Sequence, residues 1–263
     1  IIIRKEHRGV ICLGKSGKFS YGKILAIGSG FLALTLVWTV YNTYMPLLLG
    51  DFIESRAIRG AIMGLDNLMA VILIPIIGAW SDRLNTPLGG RLPFIIIGMP
   101  LAAIFFILIP FMSTINLVVL LIVDIIFLLA MTIYRAPVIA LMPDHTPEEK
   151  RSNANGVINF MGGIGAIIAL FALSQLYDIK VSYPFIVGGI ILVIAFIVLY
   201  FVVDRNPPYA GTSEEESEET MALQALKNDI GRLFQRNYRG HLFILTAIFL
   251  YFIGYSGLEA QFS

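Results

Sequence analysis

Six stretches of about twenty nearly unbroken apolar residues govern what this chain can fold into. They run from Ile24 to Gly50, Ile58 to Trp80, Pro93 to Met112, Leu117 to Met142, Val157 to Tyr177 and Tyr183 to Val203, and a further one starts at His241 and runs to Ser263. A hydrocarbon layer about 30 Å thick is crossed by roughly 20 helical residues. Each run is continuously apolar, whereas lipid-facing barrel strands alternate over about ten residues, so the expected elements are helices. With 57% hydrophobic and 14% charged residues the chain lacks the polar surface of a soluble globular domain, and the lipid bilayer is its expected main solvent. The first run carries Trp38, Tyr41 and Tyr44 and is too long for a cleavable signal core, so it reads as a mature helix. The expected fold class is an all-α membrane protein. Because the chain opens on Ile1 rather than Met, it reads as a fragment.

The basic residues set an orientation. With the amino terminus cytoplasmic, 15 Lys and Arg fall in inside segments, from Arg4 through Lys23, Arg83, Arg91, Lys150, Arg151 and Arg205 to Arg239. Outside lie only Arg56, Arg59 and Lys180. Positive charge gathers on the cytoplasmic side of membrane proteins, which predicts a multi-pass protein of the cell membrane with its amino terminus inside. The expected organisation is a cytoplasmic segment at 1–23, a six-helix bundle at 24–203, a cytoplasmic linker at 204–240 and the start of a seventh span at 241–263. The linker holds an acidic run, Glu214 to Glu219, read as a solvated stretch, and an amphipathic pattern at Leu223, Leu226, Ile230 and Leu233. Such a layout fits one half of a transporter built from two six-helix bundles, with the carboxy-terminal half of the polypeptide as the missing partner.

Several chemistries are not supported. Cys12 is the sole cysteine, and His7, His145 and His241 are scattered, so no metal site is expected. No phosphate-cradling glycine loop, nucleophile triad or nucleic-acid-binding patch occurs, and the chain is not expected to be an enzyme or to need a cofactor.

Between the second and third runs stand Gly78, Asp82, Arg83, Gly89, Gly90, Arg91, Pro93 and Phe94. A glycine permits close helix approach, and an aspartate and arginines at helix exits can bind neighbouring helix ends, so these parts can latch a gate. Here the chain resembles the Major Facilitator Superfamily, whose loop between spans two and three reads G-x-x-x-D-R followed by glycine and basic residues. It is similar in particular to the sugar:cation symporter branch, including sucrose:proton symporters and solute carrier family 45. That branch shows S-D-R and then G-R-R-x-P-F, and Gly90 stands where it has the first arginine of the pair. A second matching segment is Asp124 followed eleven residues later by Arg135 and Ala136, with Asp144 at the cytoplasmic exit. The resemblance implies the amino-terminal six-helix bundle of a twelve-helix transporter, a gate at Gly78, Asp82, Arg83, Gly89, Arg91 and Asp144, and a sugar as substrate. Melibiose-type relatives carry two carboxylates on span two where this chain has Ala70 and Ile74, which favours a proton over sodium as coupling ion.

Asp124 and Arg135 lie within roughly 20° of one helix face and about 16 Å apart, both inside the apolar slab. An uncompensated charge there costs about 2.5–3.5 kcal/mol, so each is expected to face the bundle interior with a partner or water. Asp124 is expected to carry the coupled proton, and Arg135 to pair with it or with substrate oxygens. The plainer reading is a static ion pair. Asp66 and Asn67 either line the pathway or act as hydrogen-bonded helix glue. Trp38, Tyr41 and Asn42 suit a sugar, because aromatic faces stack on C–H surfaces and amides and phenols bond hydroxyls; Tyr44 reads as an interfacial anchor. Asn159 is expected to bond across helices, or else to touch the pathway. The glycines and alanines between Gly162 and Ala169 read as a close-packing stripe.

The expected function is symport of a proton with a sugar or related small polar solute by alternating access. Proton-driven efflux of drugs or metabolites shares the cytoplasmic motif, and a non-transporting membrane sensor or assembly partner is a third reading.

Overall fold

The computed structural model describes residues 20–84, 86–205 and 207–209; within helix 56–83 the side chains of 65–68, 71 and 72 are also left out. The expected amphipathic helix of the linker, the seventh span and the acidic run lie outside the described residues.

Among the described residues every regular element is helical. The helices are α1 (Tyr21–Gly50), α2 (Arg56–Arg83), α3 (Leu92–Met112), α4 (Leu117–His145), α5 (Arg151–Ile167), α6 (Leu173–Ile179) and α7 (Ser182–Val202). A 3-10 turn, Glu148–Lys150, leads into α5, and a π turn, Ile168–Ala172, joins α5 to α6, so that Glu148–Ile179 forms one span. Five of these stretches are long and apolar enough to cross a membrane. At 28 residues α2 also has the length.

The helices extend beyond the apolar runs that announce them. α4 continues past Met142 to His145, and the fifth span begins at Glu148, not Val157. The reason is physical: intrahelical hydrogen bonds satisfy the backbone in water as well as in lipid, whereas the apolar signature ends where lipid does. Asn116 starts α4 by accepting the Val119 N–H at 2.9 Å on its side-chain oxygen, which satisfies a donor the helix end leaves free.

α1 is the central post. It packs along α5 and α7 and also meets α4, while α3 packs on α4 and α7 and α2 leans on α4. Tyr41, Met45, Phe106, Phe127, Tyr134 and Phe185 fill the centre. Lipid tails are as apolar as leucine, so such a bundle is held by close contact more than by exclusion of water. At Gly165 the α5 backbone lies against the Leu32 carbonyl oxygen of α1, a contact that any side chain would fill. Within the small-residue stripe Gly162 and Gly165 make this seam, whereas nothing among the described residues covers Gly163. Tyr44 is buried and stacks on Tyr177 with centroids 4.3 Å apart, which ties α1 to α6.

Candidate functional site

Polar residues gather at two levels of the bundle. The inner level begins with the half-buried face of α1, where Thr35, Trp38, Thr39 and Asn42 recur at helical spacing. Tyr41 borders this face and is fully buried; its ring stacks with Trp38 at 5.7 Å and tilts against Phe127 of α4 at 5.3 Å. Asp124 stands one turn before Phe127 and is buried, with 2% exposure. The acid therefore lies within the bundle, away from lipid.

Arg135 is half-buried, and its guanidinium carbon lies 5.5 Å from the Trp38 ring centroid. A cation over an indole face is stabilised by about 0.5–2 kcal/mol, less than the 2.5–3.5 kcal/mol its charge costs deep in the slab. Trp38 thus offsets only part of the cost of holding Arg135 there. The ion pairs among the described residues are Lys23–Asp204, Arg91–Asp82 and Arg91–Asp144, so Arg135 rests on Trp38 and not on Asp124 in this conformation. Three helical turns separate the two charges, further than either side chain spans.

Asn159 sits on an exposed face of α5. Its amide donates to the Asn155 backbone and side-chain oxygens, each at 3.0 Å, so its bonds run along its own helix and not across to another. The expectation of an interhelical bond is corrected, because this face of α5 turns away from α1. Asp66 and Asn67 lie in α2, with their side chains outside the described set.

The second level is at the helix ends where α2 and α4 finish and α3 begins. Arg91, just before α3, forks between two helices: Nη1 pairs with Asp82 of α2, and Nε donates to Asp144 of α4 at 3.0 Å. Nη1 also donates to Ser81 Oγ at 2.6 Å, and that hydroxyl donates to the Gly78 carbonyl at 2.8 Å. A planar guanidinium suits this bridging because its N–H groups leave in fixed directions. Asp144 is buried, with 5% exposure, so the pair works in low dielectric.

Two glycines shape the latch. Gly89 adopts φ of 85°, a left-handed conformation that side chains disfavour, and its α-carbon faces the Arg205 carbonyl. Gly90 lies against the Ser81 carbonyl, with the Leu84 carbonyl at 2.9 Å from where a side chain would begin. No side chain fits at Gly90, and the neighbouring Arg91 serves both acids. Of the expected latch residues, Gly78 joins through its carbonyl, which holds the Ser81 hydroxyl, while Arg83 is exposed and in no ion pair among the described residues. Ser81 joins the network through its hydroxyl, although in sequence a serine at a helix exit reads as an ordinary cap.

The sequence profile of the Major Facilitator Superfamily matches residues 27–263. A curated relative, the tetracycline resistance protein, class E, of Escherichia coli, is 28% identical over 184 residues. The match takes in 67% of this chain and 42% of that protein, so the chain spans less than half of the relative's length.

Proposed function

Since the chain belongs to the Major Facilitator Superfamily, we propose that it is part of a proton-coupled secondary transporter that moves a small polar solute by alternating access. The observation that carries this reading is Asp124, an acid enclosed by the bundle at mid-slab depth, within one turn of the aromatic cluster of Tyr41 and Phe127. Neutral, such an acid costs little; ionised, it costs about 2.5–3.5 kcal/mol unless water or a cation reaches it. Protonation therefore selects the closed, dry states through which the site changes sides, and the open, wet states release the proton. Solute held near Trp38, Asn42 and Arg135 would be subject to the same selection, and that shared preference couples the two fluxes.

Arg91 would act as the cytoplasmic latch. Opening to the inside would have to separate it from Asp82 or Asp144, so closure of that side is favoured until other contacts compensate. A sugar symporter is the first form of this proposal, supported by a half-buried aromatic and amide face on α1. Efflux by proton antiport is the second, supported by similarity to a tetracycline resistance protein.

The experiment is proton flux in proteoliposomes holding the full-length protein. Sugar-stimulated proton entry into the lumen with the solute establishes symport; solute-driven proton movement in the opposite direction establishes antiport. In both cases Asp124→Asn is expected to remove coupling. Undiminished proton-coupled flux in that variant removes Asp124 from the mechanism.

A further inference from the structure

The start of the segment after α7 is docked beneath the bundle by contacts that the latch does not need. Lys23 of α1 pairs with the Asp204 carboxylate at 2.5 Å. The Asp204 backbone N–H donates to His145 Nε2 at 3.3 Å, and the Tyr209 N–H donates to the Asp144 carbonyl at 3.2 Å. The Arg205 carbonyl rests on Gly89, where a side chain would displace it. Asp204, Arg205 and Tyr209 thus touch α1, the end of α4 and the loop between α2 and α3.

His145 is the decisive member, because its surroundings specify its protonation state. Nδ1 lies 2.8 Å from the Leu141 carbonyl, an acceptor, so Nδ1 carries the hydrogen. Nε2 faces a backbone N–H, a donor, so it must keep its lone pair. Both contacts hold only for a neutral ring in one tautomer. The ring is 5% exposed, and the charged groups facing it are Asp144 on its own helix, Lys23 from α1 and Asp204 from the exit segment. Added to Nε2, a proton would point one N–H at another and draw the Asp204 carboxylate towards the imidazolium and away from Lys23.

We propose that neutral His145 is a proton-operated pin: it holds the segment leaving α7 against the cytoplasmic ends of α1 and α4, and acidification on that side releases the segment. The pin stands one residue from Asp144, whose carboxylate serves the latch and whose carbonyl holds Tyr209. It makes the departure of the chain from the bundle sensitive to cytoplasmic pH, independently of which solute is carried.

The test uses full-length protein in lipid with its other cysteines replaced by serine and a nitroxide spin label at Pro208→Cys, an exposed position. With His145 present, the label is expected to be immobilised at about pH 7.5 and its mobile fraction to rise several-fold by about pH 4.5, below the usual range of histidine titration because burial disfavours the charged ring. Glutamine offers a donor and an acceptor but takes no proton, so His145→Gln should stay immobilised at both pH values. His145→Lys should be mobile at both. A label equally mobile at both pH values with His145 in place would overturn the proposal, as would a His145→Gln variant that reproduces the native pH response.

Discussion

Arg91 reaches two carboxylates through different nitrogens, and this decides what can replace it. Lysine keeps the charge but offers one compact ammonium, so Arg91→Lys should retain only one of the two pairs. Arg91→Ala leaves the buried Asp144 side chain without its cation, and should lower stability by about 3–5 kcal/mol. Thermal unfolding in detergent should rank native above lysine above alanine. At Asp124 the expected split is different: Asp124→Asn keeps the shape and loses the exchangeable proton, so solute should still bind while pH-driven accumulation disappears. Equilibrium binding and flux, measured on the same preparation, check this. Sequence marked Asp124, Arg91 and Asp144 as chemically important because a charge in or beside an apolar run is costly, although a static ion pair or a capped turn would also hold one there. It did not point to Ser81, Lys23 or Asp204, which are ordinary polar residues at helix ends. Their partners lie 10, 181 and, for the Asp204–His145 contact, 59 positions away along the chain. Such pairings follow only from packing.

Among the elements, the seam between α1 and α5 is the most sterically demanding. Gly165→Ala would push a methyl group into the Leu32 carbonyl, and overpacking of this kind costs about 1–3 kcal/mol. A melting temperature lowered by several degrees in detergent is the expected outcome, and an unchanged one would mean that the seam can yield. The Tyr44–Tyr177 stack joins α1 to α6 further along the same span, and Tyr177→Ala should cost about 0.5–1.5 kcal/mol beyond the area lost. Helix positions were legible because each span must hide its backbone from lipid, leaving a long apolar signature. Helix irregularities were not. Nothing in the run from Ile167 to Leu173 distinguishes a π turn from an α-helix, since both bury the same apolar residues and differ only in which carbonyl each N–H reaches.

For the molecule in its membrane, the basic residues predict sidedness. A cysteine placed at Lys180, between α6 and α7, should react with an impermeant reagent only from outside, and one at Glu149 only from inside; the reverse pattern would invert the orientation. The same scale bears on the exposed amides of α5. Asn155 and Asn159 bond to each other's turn but remain exposed on a helix of membrane-spanning length. Hydrocarbon is a poor solvent for an amide, so this face belongs against protein or water. A transporter with a second bundle satisfies that requirement.

The π turn at Ile168–Ala172 holds one residue more than an α turn needs over nearly the same axial distance. Deleting a single amino acid there can be absorbed by tightening the wide turn, leaving Gly165 on Leu32 below and Tyr177 on Tyr44 above. The same deletion at Ala154 would twist one end of the span against the other by about 100°. The fifth span therefore carries slack at one place along its length, and shortening by one residue is survivable only there.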